Sequence, residues 1–345
     1  MNFDFSDDQH DIKRTARDLL TKRSTWERVR AASEGGRNDD ELWTELCSLG
    51  WPGIAVGEQH GGQGLGTVEL VILLEELGYA CAVTPFLGSA LAGVAIQAAG
   101  SDAQRERWLP GLASGDLRGA LGDARDGAGE LVPDAAGADV VVLVEDGGLT
   151  LLEGSQADVE PVDTIDQTRR YANVRGEGEA LTGDAGAAID RCAVAVSAEL
   201  VGLCQRAMEM GVAYVKDRKQ FDTPVGAYQA VSHRCAQMLR DTESARSTTY
   251  YAGWAADSDP ARLAEAAAVS KAASSDAGRE VTASNIQVHG GIGFTWEADA
   301  HWLFKRAQMD SALLGGAGAH RAKLARHFAS RISSSLAAPS VARVP

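Results

Sequence analysis

Gln287-Val288-His289-Gly290-Gly291-Ile292-Gly293-Phe294 is the stretch whose reading decides the fold. It follows one long helical pattern and precedes another. Each glycine costs a helix about 1 kcal/mol relative to alanine, so three within four positions mark a deliberate break. Such a break exposes backbone N–H groups and lets a ligand approach the chain closely. Taken alone, a glycine cluster reads more readily as a plain turn than as a ligand site.

A second stretch changes the weight of the first. Arg218-Lys219-Gln220-Phe221-Asp222-Thr223-Pro224-Val225-Gly226 is followed by Gln229. A third, Glu58-Gln59-His60-Gly61-Gly62-Gln63-Gly64-Leu65-Gly66, precedes Leu74-Glu75-Glu76-Leu77-Gly78. The order Arg-x-x-Phe-x-x-Pro-x-x-x-x-Gln, then Gln-x-x-Gly-Gly-x-Gly-Phe, resembles the acyl-CoA dehydrogenase family, and the third stretch agrees with it. Thr295-Trp296-Glu297-Ala298-Asp299-Ala300-His301 is similar to the family's actinobacterial members. The resemblance implies a mainly α fold with a small β middle domain. It divides the chain into an N-terminal helical domain (1–115), a shortened β-domain (116–184), a C-terminal helix bundle (185–336) and a tail (337–345).

Composition sets the outer limits. The chain has 345 residues, 45% hydrophobic, enough for one large core or two to three domains. No apolar run reaches the ~18 residues that span a bilayer. The start, Met1-Asn2-Phe3-Asp4-Phe5, lacks the basic and apolar regions of a signal peptide, so the expectation is a soluble, cytoplasmic protein. Cys47, Cys81, Cys192, Cys204 and Cys235 lie far apart, which suits buried thiols in a reducing compartment better than a disulfide framework or a metal site. A net charge of −15 without a Lys/Arg run argues against nucleic acid as a partner. It also suits an anionic CoA ester poorly, so any phosphate site must be a local arrangement of Arg, Lys and backbone N–H groups.

Along the chain, Ser6 with Asp7 and Asp8 starts a helical pattern that continues to residue 33. Helices are expected over Asp39–Leu49, Val68–Gly78, Thr84–Gly100 and from Ser101 to Gly115. Glu75 and Glu76 read as structural charges at a helix end rather than paired catalytic carboxylates. Helical periodicity then stops. Asp139–Val144 and Leu149–Leu152, joined by Glu145-Asp146-Gly147-Gly148, read as a hairpin, with another strand at Ala172–Val174. From Ala185 onward the chain is helical again, with helices expected to about Lys216, then over Gln229–Asp257, Ala261–Val288, Asp299–Leu314 and Ala317–Ser335. The tail is expected to fray.

The resemblance also assigns roles. In the family, the FAD ring sits on one subunit and its adenine-diphosphate arm is held by the bundle of a neighbour. The matching residues here are Arg218, Phe221, Gln229, Gln287, Gly290 and Gly291. Their chemistry suits that role: an arginine fork for pyrophosphate oxygens, an apolar face, and glycines that admit the ligand to backbone N–H groups. The family's catalytic base is a Glu before a Gly in the loop preceding the last helix. Aligned on Gly315 and Arg321, that position is Leu314, which cannot accept a proton. The alternative place for the Glu falls on Thr249-Tyr250-Tyr251-Ala252-Gly253, again without an acid, and a tyrosine with a pKa near ~10 is a poor base. Asp310, one helical turn back, is the candidate for a displaced base.

The family's middle-domain loop over flavin and thioester corresponds to Gly122-Asp123-Ala124-Arg125-Asp126-Gly127-Ala128-Gly129, which lacks the usual motif. The Trp-hydroxyl signature that covers the flavin ring is missing too. Glu297, Asp299, His289 and His301 read as packing or surface residues, with no metal-ligand spacing. The resemblance thus implies a non-catalytic subunit that completes the FAD site of a partner carrying the Glu. An acyl-CoA substrate, with bulky sterol side-chain esters within the class, and an acceptor such as electron-transfer flavoprotein go with it. Two rival readings stand: a self-sufficient homo-oligomeric dehydrogenase with a displaced base, and a non-enzymatic scaffold of the same fold.

Overall fold

Ser6 caps helix α1 (Asp7–Arg23) with a reciprocal pair: its hydroxyl accepts from the Gln9 N–H, and the Gln9 side chain accepts from the Ser6 N–H. The structure, a computed structural model, describes residues 4–337. The helical pattern to residue 33 is two helices, because Thr25 breaks it with an extended backbone and caps α2 (Trp26–Glu34) through its hydroxyl. Helices α3 (Asp40–Ser48), α4 (Thr67–Tyr79), α5 (Phe86–Ala99) and α6 (Asp102–Ser114) complete the first part.

Seven strands follow: β1 (Gly119–Arg125), β2 (Ala128–Val132), β3 (Val140–Glu145), β4 (Gly148–Glu153), β5 (Asp158–Pro161), β6 (Ala172–Arg175) and β7 (Glu179–Ala180). They form one sheet in the order β5-β6-β2-β1-β3-β4-β7, with only β1 and β3 parallel. The expected β3–β4 hairpin pairs Glu145 with Gly148 across its turn. The segment Gly122–Gly129, read as a loop, is instead the β1–β2 hairpin. Asp126 and Gly127 both take positive φ at its tip, the turn geometry that strand twist favours.

Five helices close the chain: α7 (Ala185–Asp217), α8 (Gln229–Ser258), α9 (Leu263–His289), α10 (Ala300–Ala312) and α11 (Ala317–Ala337). A two-stranded ribbon, β8 (Lys219–Gln220) and β9 (Thr223–Pro224), sits between α7 and α8. The expected tail lies outside the described residues, save for Ala337. Among the described residues no helix is long and apolar enough to cross a membrane.

The two helical parts meet along α4 and α7. Every residue of α4 from Leu70 to Gly78 is buried, and so are Ala193–Cys204 of α7. Contact is backbone to backbone: a Cβ on Gly202 would stand 1.9 Å from the Glu75 carbonyl oxygen, and one on Gly78 would stand 2.2 Å from that of Glu199. Gly202→Ala is therefore expected to cost about 2–3 kcal/mol by overpacking, more than its gain in helix propensity. Thermal unfolding followed by circular dichroism checks this. Gly186→Ala, whose added Cβ would meet only Asp184 Oδ1 at an ordinary 3.4 Å, serves as the neutral comparison.

Glu75 and Glu76 are tied off inside the same interface. Lys13 Nζ reaches Glu75 at 2.9 Å and Arg246 Nε at 3.2 Å, Tyr250 donates its hydroxyl to the same carboxylate, and Arg17 pairs with Glu76. Burial alone would raise the Glu75 pKa, but Lys13 and Arg246 outweigh it and the net shift is downward. All five cysteines are unpaired.

Candidate nucleotide site

Helix α7 ends where Arg218 leaves helical geometry while still donating its N–H to the Tyr214 carbonyl at 2.9 Å. The β8–β9 ribbon then turns through Phe221 and Asp222, with φ of 51° and 61°. Two consecutive positive φ values normally call for Asn-Gly or Gly-Gly, and a phenylalanine there is strained by roughly 1–2 kcal/mol. Val225 N–H donates to the Arg218 carbonyl at 2.8 Å and Tyr228 Oη to the Gln220 carbonyl at 3.3 Å, so the ribbon is held despite that strain. At its tip Phe221 is 91% exposed. A strained, solvent-facing aromatic does nothing for this chain's own stability, and strain of this kind collects at ligand clamps. Arg218 is exposed and, among the described residues, makes no ion pair. Gln229 opens α8, exposed, directly after the ribbon.

The glycine break takes the shape its composition dictates. Gly290 ends α9 with φ 65° and ψ −141°, a backbone that only glycine adopts freely, and its N–H donates to the Gln287 carbonyl. A Cβ built on Gly290 or Gly291 would meet nothing within 4 Å, whereas one on Gly293 would strike the Ile286 carbonyl at 2.4 Å. Gly293 is thus demanded by internal packing and Gly290 by its backbone. Gly291 is demanded by neither, as expected where something outside the chain comes close. Gln287 is exposed beside them.

Helix packing brings both stretches to one end of the bundle. Tyr214 of α7 stacks on His289 of α9 with centroids 4.3 Å apart and planes 24° from parallel. Arg234 of α8 donates to Ser284 of α9 at 3.2 Å. Gly211 lets α7 approach so closely that a Cβ there would lie 3.1 Å from both Asn285 and Val288. The result is an open surface carrying an arginine fork, an apolar face and an exposed glycine backbone, features that suit an anionic nucleotide arm.

This chain resembles known proteins along most of its length. The family model described as acyl-CoA dehydrogenase, N-terminal domain, matches residues 6–116, and that of the C-terminal domain matches residues 183–329. The chain belongs to the acyl-CoA dehydrogenase family. It is 36% identical over 307 residues to acyl-CoA dehydrogenase IpdE2 of Mycobacterium tuberculosis, covering 88% of this chain and 92% of that protein. The Mycolicibacterium smegmatis IpdE2 is 34% identical over 312 residues, covering 90% and 95%. Among solved structures, a variant of the Tcur3481-Tcur3483 steroid ACAD superposes with a TM-score of 0.85 at 27% identity, covering 94% of this chain and 99% of that one.

Acyl-CoA dehydrogenases are FAD-dependent oxidoreductases, and the segment at Leu314, where the resemblance places the family's Glu, differs in kind from the surface at Arg218 and Gly290. Leu314 is buried with φ 58°. Its N–H donates to Asp123 Oδ2 at 2.8 Å, and its carbonyl accepts from His320 Nε2 at 2.9 Å. The Leu313–Gly316 loop is thereby fastened to the β-sheet on one side and to α11 on the other. Burial raises the Asp123 pKa, against the Leu314 N–H and Lys271. Lys271 is itself buried. It donates to Ser275 Oγ at 2.9 Å and to the Asp310 and Ser311 carbonyls at 3.1 and 3.2 Å, and burial pushes its pKa down to about 8.

Asp310, the candidate displaced base, is 1% exposed, and its Oδ1 lies 3.6 Å from Arg169. Burial raises its pKa and Arg169 opposes the shift. A carboxylate sealed from solvent in an internal charge cluster is badly placed to take a substrate proton. At the alternative base segment, Tyr250 already donates to Glu75, and burial beside that carboxylate holds its pKa far above the normal tyrosine range. Asp299 pairs with Arg30 at 2.7 Å, a structural tie between α2 and the start of α10.

His301 is enclosed, with no partner for either ring nitrogen among the described residues, and packs between Trp296 and Trp302. Burial and Lys305 lower its pKa to about 4, so it is neutral. It lines a groove of about 440 Å³ that runs from Gln287 past Phe294, Trp296 and Phe304. Sequence reasoning missed this groove and the His289–Tyr214 pair.

Proposed function

We propose that this chain is a non-catalytic subunit of a heteromeric, FAD-dependent acyl-CoA dehydrogenase. Its C-terminal bundle holds the adenine-diphosphate arm of a flavin whose ring lies on a partner subunit, and that partner carries the catalytic Glu. The reading is carried by the contrast between two places in one chain. Arg218, Phe221, Gln229, Gln287, Gly290 and Gly291 stand open at one end of the bundle, while the base position is a buried leucine pinned through both its N–H and its carbonyl.

FAD, when bound, supplies the hydride acceptor. The chain's own contribution is binding and orientation. Arg218 offers a planar fork to pyrophosphate oxygens, the exposed glycines Gly290 and Gly291 let the anion approach the backbone closely, and Phe221 gives an apolar face. Proton removal next to the thioester falls to the partner, because Leu314 has no basic atom and Asp310 is sealed. On this reading the chain divides at 115/116 and 184/185 into an N-terminal helical domain, a shortened β-domain and the bundle. An acyl-CoA thioester is the substrate class. The likeness to a two-component steroid ACAD supports both a bulky steroid-derived acyl group and an unlike partner. An electron acceptor such as electron-transfer flavoprotein would reoxidise the flavin in the cytoplasm.

Flavin content per chain tests the reading. The protein purified alone is expected to carry none. Co-purified with a catalytic acyl-CoA dehydrogenase subunit of the same organism, it should carry a single flavin per pair of unlike chains, with dehydrogenation restored. A full flavin complement in the chain alone, bleached by substrate, would establish the homo-oligomeric enzyme instead. No flavin in either preparation would leave only a scaffold.

A further inference from the structure

We propose that His289 is a positioning residue of the nucleotide site: it fixes the Arg218 ribbon to the Gly290 turn and offers its outer ring nitrogen to the bound nucleotide. This rests on the reading that the bundle holds the adenine-diphosphate arm.

His289 is the last residue of α9, immediately before the glycine break. Its Nδ1 lies 2.7 Å from the Asn285 carbonyl. A carbonyl only accepts, so Nδ1 must carry the hydrogen, and in the neutral ring Nε2 keeps a free lone pair. Among the described residues Nε2 has no protein partner, and it keeps some solvent contact although the ring is largely buried. The ring face lies on Tyr214, whose carbonyl accepts the Arg218 N–H at 2.9 Å. One aromatic pair therefore joins the residue that begins the ribbon to the residue that begins the glycine turn.

The surroundings explain what such a nitrogen adds. The Arg218 guanidinium only donates and suits phosphate oxygens, whereas the Gly290 N–H is already taken by the Gln287 carbonyl. A nucleotide also carries donors of its own, its ribose hydroxyls and its adenine amino group, and these need an acceptor. Nε2 is an acceptor held rigid by a stack on one side and a hydrogen bond on the other.

Binding of ADP and of inorganic pyrophosphate to the purified heteromeric complex, measured by calorimetry beside the melting temperature, tests this. His289→Phe keeps the stack and removes both nitrogens. It is expected to weaken ADP binding about 3- to 10-fold, the worth of one hydrogen bond, and to leave pyrophosphate binding unchanged. His289→Ala also removes the stack and should weaken both ligands. A role in folding alone would move the melting temperature without separating the two ligands. Wild-type ADP affinity in His289→Phe, or equal loss for ADP and pyrophosphate, overturns the proposal. Failure of the wild-type complex to bind ADP or FAD at all would instead remove the cofactor reading beneath it.

Discussion

Arg218→Ala is expected to weaken flavin and ADP binding by the complex about 30- to 100-fold, because charge-assisted hydrogen bonds to phosphate are worth about 1.5–3 kcal/mol. The argument rests on exposure. Arg218 makes no ion pair among the described residues and supports the fold only through its backbone, so removing the side chain takes nothing from stability. Arg218→Lys keeps the charge but loses the planar fork, and should fall between wild type and alanine. Arg175→Ala, an exposed arginine on β6, should change nothing. Flavin fluorescence titration reads the affinities, and unchanged affinity in Arg218→Ala would remove the ribbon from the cofactor site. Because the interaction is electrostatic and exposed, the wild-type advantage should also shrink as salt is raised.

The second large effect lies in the interior. Glu199→Ala is expected to cost about 3–5 kcal/mol of stability, since it strips the shared counter-charge from two buried guanidiniums. Arg169 pairs with the Glu199 carboxylate, and Arg306 Nη1 approaches it at 3.3 Å. Arg306 goes on to donate to Thr168 Oγ1 at 2.7 Å and to the carbonyls of Ala82 and Thr168, each at 2.9 Å. One cluster thus ties the α4–α5 link, the segment after β5, and helices α7 and α10. Glu199→Gln keeps a hydrogen-bond acceptor without the charge and should lose less. Asp11→Ala, which breaks an exposed pair with Arg14, should lose under about 1 kcal/mol. Denaturant titration decides. A loss under about 1 kcal/mol for Glu199→Ala would mean that Asp310, 3.6 Å from Arg169, already balances the arginines.

These two sites show where sequence reasoning reached and where it stopped. The helix break at Gly290 was legible because it is a local requirement written in consecutive glycines, whereas the strain at Phe221 and Asp222 was not, because neither residue type announces a positive φ. The charge cluster was invisible because Glu199, Arg169 and Arg306 sit on separate elements and look, one at a time, like ordinary surface charges. The β1–β2 hairpin was missed for a related reason. Its turn residues, Asp126 and Gly127, were present, but its strands carry glycine, alanine and charges that do not alternate cleanly, so pairing rather than pattern defines them. The break at Thr25 was legible in principle as a cap, and helical periodicity on both sides hid it.

The sequence by itself determined the family, the helical frame, the β-rich middle and the absence of an acid at Leu314, since each depends on residue type at short spacing. Only the tertiary structure decided that Asp310 is sealed beside Arg169, that Asp123 and His320 pin Leu314, and that Tyr214 and His289 join two distant motifs into one surface. Burial and the partner of a charged or aromatic group are set by residues far away in the chain, and packing is what brings them together.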